Sequence, residues 1–160
     1  MYTVVTTMPR TKELLSRLRA DHPDIKFVVG DDFKWSQADQ TLTVAKGAGG
    51  ELYLLHELAH ALLGHADFVF DIELLRQERE AWGHARSVLA PRYGIRLEDE
   101  LIEEALDTYR EWMHARALCP TCGLTGLQTK TSTYVCVNCR CSWRPNDARR
   151  SALRRYRTLH

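Results

Sequence analysis

Hydrophobic positions along this chain switch between two periods, and the switches mark out its elements. Leu14, Leu15 and Leu18 recur at helical spacing in "TKELLSRLR" (residues 11–19), which predicts a first amphipathic helix. "KFVVG" (26–30) is a short apolar run and reads as a buried strand. "FKWS" and "TLTVA" flank the polar "QADQ" with aromatic and β-branched residues, the pattern of a hairpin. After the Gly-rich "KGAGG", the stretch "ELYLLHELAHALLG" is apolar nearly all round, which predicts a buried helix stopped at Gly64.

A second long helix is expected over residues 71–89, with Leu74, Leu75, Ala81, Trp82, Ala85, Val88 and Leu89 as its apolar stripe. Pro91 and Gly94 then break the chain. "LEDELIEEALDTYREWMHARAL" supplies another helix, with Leu101, Ile102, Ala105, Leu106, Tyr109, Trp112 and Met113 on one side. Helical periodicity stops near Leu118, where the cysteines begin, so a domain boundary is expected there.

Composition changes this picture little. The chain is 44% hydrophobic and 27% charged, with a net charge of +1, so no strong global attraction to nucleic acid or anionic membrane is expected. The charge is unevenly placed: Arg144, Arg149, Arg150, Arg154, Arg155 and Arg157 crowd the last stretch against a single Asp147. No apolar run reaches the length of a membrane span, and the N-terminus lacks the pattern of a secretory leader. A cytoplasmic protein is therefore expected. All five cysteines lie between positions 119 and 141, a clustering that points to metal binding rather than a disulfide framework.

The candidate chemistry centres on "HELAHALLGH" (56–65). His56 and His60 are one helical turn apart on one face, so both imidazoles can reach one Zn²⁺. Glu57 lies beside them as the base that takes a proton from metal-bound water. His65 breaks the spacing of a three-histidine metalloprotease motif, and continued helix would turn it to roughly the opposite side. It is expected to cap or pack beside the helix end. In the next helix Glu78 falls on the apolar stripe, where a carboxylate needs a partner, and this makes it the expected third ligand. Glu80, on the polar face, is the fallback.

"TLTVA", "HELAHALLGH" and "EREAWGHA" together resemble the ImmA/IrrE family of bacterial zinc metallopeptidases, over roughly residues 25–90. The resemblance implies a gluzincin-like centre. His56 and His60 supply two ligands, and the Glu of an E-x-x-A segment, here Glu78 ahead of Ala81, supplies the third. The family has Asn or Asp directly after that Ala, where this chain has Trp82. The resemblance also implies zinc-assisted peptide hydrolysis by an endopeptidase, constantly active or held latent. "TLTVA" would be the edge strand that aligns an extended substrate, and a DNA-binding transcriptional regulator such as a repressor would be the protein cleaved.

"CPTCG" and "YVCVNC" form C-x2-C, thirteen residues, C-x2-C, the spacing of a zinc ribbon with Cys119, Cys122, Cys136 and Cys139 as ligands. Cys141 is spare, with a shifted Cys139/Cys141 pairing as the alternative. Trp143 and the arginines of the tail are candidates for contact with nucleic acid or an acidic partner. The fold so expected is α+β: a small zincin-like domain over 1–117, its short antiparallel or mixed sheet packed on helices bearing HExxH, a four-cysteine zinc ribbon over 118–145 and an Arg-rich tail over 146–160. One catalytic and one structural Zn²⁺ are expected, and no membrane partner. Two rivals stand beside this reading. A SprT-like protease acting on DNA-bound proteins would need His84 or His114 as third ligand. A non-catalytic zinc module would bind nucleic acid or protein.

Overall fold

Leu14 and Leu18, one turn apart, are fully buried from helix α1 (Thr11–Asp21), the first element of a computed structural model that describes residues 11–47, 49–148 and 152–158. The protein is α+β, with helices and two small sheets. Its residues group into two compact units: one takes in the described residues up to Ala66 with Gln77–Ile102, the other Asp67–Arg76 with the described residues from Glu103 onward. The units therefore do not divide at Leu118.

In the first unit, β1 (Lys26–Gly30), β2 (Lys34–Ser36) and β3 (Thr41–Ala45) form a sheet of order β1-β3-β2. β2 and β3 make the expected antiparallel hairpin, and β1 joins β3 in parallel. β3 therefore lies in the middle, with Leu42 and Val44 buried at alternate positions. This corrects two expectations. "TLTVA" has no free edge to offer a substrate, because both its sides are paired. "KFVVG" is an edge strand rather than a buried one, with Val29 61% exposed.

Helix α2 (Glu51–Leu63) buries Leu54, Leu55, Leu58 and Ala59, and ends as expected at Gly64, whose φ of 68° is the left-handed geometry glycine tolerates best. Helix α3 (Asp71–His84) follows, then one wider turn over Ala85–Leu89 and a short helix α4 (Ala90–Tyr93). In the wide turn the Ala90 N–H reaches back five residues to the Ala85 carbonyl. The extra residue shifts the helical register, so Val88, expected on the apolar stripe, is exposed while Leu89 and Ala90 are buried. Helix α5 (Asp99–Ala117) comes next.

The second unit carries a four-stranded sheet of order β4-β5-β6-β7, built from Leu127–Lys130, Thr133–Val135, Ser142–Pro145 and Arg155–Arg157. Its core joins Ala117, Cys119, Tyr134, Cys136 and Trp143. Gly126 is required here: a Cβ at this position would meet the Trp143 ring at 2.3 Å. The centre of the unit is Arg116, buried with Asp71 at 2.8 Å. Its guanidinium also donates to the Asn146 carbonyl and the Ser132 hydroxyl, while its own carbonyl accepts the Trp143 indole N–H. Tyr134 donates its hydroxyl to Asp71 from the other side. These bonds tie the late part of α5 to the ribbon strands, which is why the compact unit begins well before the first cysteine.

Removing one member of a buried ion pair leaves the other charge uncompensated. Arg116→Met should lower unfolding stability by ~3–5 kcal/mol in urea titrations of the full chain. Arg86→Ala, which breaks the exposed Arg86–Asp99 pair, should cost less than ~1 kcal/mol. Equal losses would refute the organising role of Arg116.

Candidate functional site

The all-round apolar α2 and the stripe of α3 bring three polar side chains together. His56, His60 and Glu78 are 4%, 7% and 6% exposed, burial that ionisable groups tolerate only when paired. His56 Nε2 lies 3.0 Å from Glu78 Oε2, His60 Nε2 lies 3.4 Å from Glu78 Oε1, and the two Nε2 atoms are 3.1 Å apart. A tetrahedral ion with N and O ligands at its usual bond lengths would hold such donors about 3.3 Å apart. The donor set and its spacing thus fit a metal such as zinc. Burial alone would raise the Glu78 carboxyl, but hydrogen bonds from His56 and His60 outweigh it and hold it at about 2. Glu78 is therefore an anion between two imidazoles.

Glu57, the expected base, is half-buried on the same helix. Its Oε2 accepts the backbone N–H of Trp35, on edge strand β2, at 2.7 Å. Trp35 is a residue that sequence reasoning missed, because its contribution is a main-chain N–H that no side-chain pattern reveals.

His65 packs beside the helix end, as expected. Gly64 turns the chain back, the His65 N–H bonds to the His60 carbonyl, and the Trp35 indole N–H donates to the His65 carbonyl. The His65 ring is thereby brought 2.8 Å from His60 through the two Nδ1 atoms, and its Nε2 lies 3.1 Å from Glu80 Oε2. Burial, followed by the neighbouring His60, lowers the His65 pKa. Glu80 thus meets His65 and is not one of the grouped ligands. His56 is supported differently. Trp82 stacks on its ring at 4.1 Å, and its buried Nδ1 has no hydrogen-bond partner among the described residues. Neither His84 nor His114 joins the group formed by His56, His60 and Glu78.

The cysteine cluster forms as the spacing predicts. Cys119, Cys122, Cys136 and Cys139 place all four sulfurs within 4.8 Å of one another. Sγ atoms of Cys119 and Cys139 are 3.6 Å apart, and those of Cys122 and Cys136 3.5 Å, close to the ~3.8 Å edge of a tetrahedral thiolate site. The two knuckles repeat one turn. Gly123 N–H bonds to the Cys119 carbonyl and Arg140 N–H to the Cys136 carbonyl, and both turn residues have positive φ. Burial would raise the Cys119 thiol, but amide N–H groups of Cys122 and Thr121 bring it to about 6. Cys136 is lowered chiefly by the Cys139 amide. Cys141 stays outside the group, its carbonyl accepting the Cys136 N–H.

The proposed contact surface is only partly where it was expected. Trp143 is fully buried against Tyr134, so it is a core residue and not a contact for a partner. The tail is not a separate segment, since β7 pairs antiparallel with β6. Arg155 is half-buried and donates to the Leu118 carbonyl at 2.6 Å. Arg144, Arg154 and Arg157 are exposed, while Arg149 and Arg150 lie outside the described residues. No described helix is long and apolar enough to cross a membrane.

If the two groups are independent metal centres, each should be separable by one substitution. Glu78→Ala should lose the ion of the histidine group and keep that of the cysteines, and Cys136→Ser the reverse, by elemental analysis of purified chain. Loss of both ions in Glu78→Ala would contradict separate sites. Comparison with known protein families, with curated proteins and with solved structures finds no match to this chain, so its functional reading rests on these two groups.

Proposed function

We propose that this protein is a zinc-dependent endopeptidase with a zincin-like catalytic domain and a structural zinc ribbon. The observation that carries the reading is a buried carboxylate meeting two imidazoles of an H-E-x-x-H helix, with the spare carboxylate of that motif anchored one residue away. The resemblance to the ImmA/IrrE peptidases supports it, since Glu78 is the residue that resemblance selects. The SprT-like alternative has less support, because His84 and His114 stand outside the group.

His56, His60 and Glu78 would hold the catalytic zinc, and Cys119, Cys122, Cys136 and Cys139 the structural one. Zinc bound at the first site would supply a Lewis acid that polarises a peptide carbonyl and acidifies water. Glu57 would take the proton of the attacking water and pass it to the departing amine. The Trp35 N–H fixes Oε2 of Glu57 and so limits the carboxylate's freedom while it does this. The substrate proposed is a protein, of the DNA-binding regulator type that the family resemblance suggests. The ribbon would act first as a folding staple for a small core. Exposed Arg144, Arg154 and Arg157 would offer a basic surface to nucleic acid.

Glu57→Gln keeps the size and removes the base. It should retain both metals and cut unfolded casein, or a randomised peptide pool, at least ~10²-fold more slowly than wild type, followed by mass spectrometry. Cleavage by Glu57→Gln at the wild-type rate would overturn the general-base assignment. Cleavage by neither protein, with both metals bound, would favour the non-catalytic zinc module.

A further inference from the structure

We propose that His65 is a positioning residue for the His56–His60–Glu78 centre: it fixes the tautomer of His60, and Glu80 fixes His65 in turn. This rests on the metal-site reading above and extends it to two residues outside the ligand set.

The hydrogen-bond roles follow from the outside inward. Glu80 Oε2, at 3.1 Å from His65 Nε2, belongs to a carboxylate that only accepts, so His65 Nε2 carries a hydrogen and donates. A neutral His65 then has a bare Nδ1, which accepts across the 2.8 Å contact to His60 Nδ1. His60 Nδ1 is accordingly the protonated nitrogen of that ring. Its Nε2, the atom facing Glu78 and His56, is then the nitrogen that would give its lone pair to an ion, exchanging its hydrogen bond to Glu78 for the metal. One carboxylate half exposed to solvent thus sets the donor atom of a buried ligand through an intervening imidazole.

Main-chain bonds hold this line in place. Gly64 returns the chain at φ 68°, the His65 N–H is tied to the His60 carbonyl, and the Trp35 indole holds the His65 carbonyl. The His65 side chain is only 9% exposed, so solvent competes weakly for the bond to His60. The other histidine of the pair provides the contrast. His56 has the face of Trp82 against its ring and no partner at Nδ1 among the described residues, so on that side stacking takes the place of a hydrogen bond. Among the two histidines only His60 is held by a hydrogen bond at its outer nitrogen, and a defect there has no counterpart at His56 Nδ1 to offset it.

The test measures zinc affinity of the histidine site by chelator competition in the full chain, with the ribbon ion as internal reference. The visible spectrum of the Co²⁺-loaded protein reports ligand geometry independently of activity. His65→Ala should weaken the site by about 10–100-fold and change the Co²⁺ spectrum. In His65→Asn the side-chain oxygen takes the place of Nδ1 and can accept from His60, so affinity should return most of the way. Glu80→Ala should give a smaller loss, and it serves as the second probe should His65→Ala fold poorly. Wild-type affinity in both His65→Ala and Glu80→Ala overturns the proposal, and so does an equal loss in His65→Ala and His65→Asn, which marks a packing role. Wild-type protein that binds an ion only at the ribbon overturns the metal-site reading itself, and with it this proposal.

Discussion

A carboxylate buried on an apolar helix stripe has to be neutralised where it stands, and much of the first unit follows from that requirement at Glu78. Desolvation opposes its charge, and two imidazoles one turn apart on α2 supply the compensation. The imidazoles meet this need because α2 is apolar nearly all round and is therefore buried on the side that carries them. His56 and His60 in turn avoid an unpaired burial by facing Glu78. The same three donors sit at a spacing that fits a tetrahedral ion, so the pairing that makes the core tolerable also makes it a group able to hold a metal.

The second unit obeys the same constraint with a different solution. Asp71 and Arg116 neutralise each other directly, and two further donors of the guanidinium go to Asn146 and Ser132. Buried ion pairs of this kind gain little over an apolar pair; this one specifies an arrangement because Asp71 accepts from both Arg116 and Tyr134 while the guanidinium reaches further partners. Here the specified arrangement joins the end of α5 to β5 and β6 through Tyr134 and Trp143. Four thiols lie within 4.8 Å of one another there, and a metal bound by them would couple its binding to the folding of this unit.

Support around the histidine site is uneven. His60 is held by a line of hydrogen bonds that ends at Glu80, His56 by the ring of Trp82. Glu57 is held by the main-chain N–H of Trp35 on edge strand β2.

What the amino-acid order determined by itself is whatever depends on local spacing. The i, i+4 histidines, the Gly64 stop, the β2–β3 hairpin and the paired C-x2-C knuckles all follow from helix period, turn chemistry or reach along the chain. Glu78 was legible for the same reason, as a charge out of place on an apolar stripe. Tertiary structure alone decided the rest. β3 is central because β1 pairs with it in parallel, a long-range choice that strand patterning does not encode. Trp143 is a core residue because Tyr134 and Arg116 cover it, although an aromatic beside arginines reads equally well as an exposed contact. Val88 leaves the core because one turn of α3's continuation widens by a residue. His65 reaches His60 because a left-handed turn reverses the chain where helical extrapolation would carry the ring away. In each case periodicity places a side chain on a face, while the packing and hydrogen bonding of distant segments decide what that face meets.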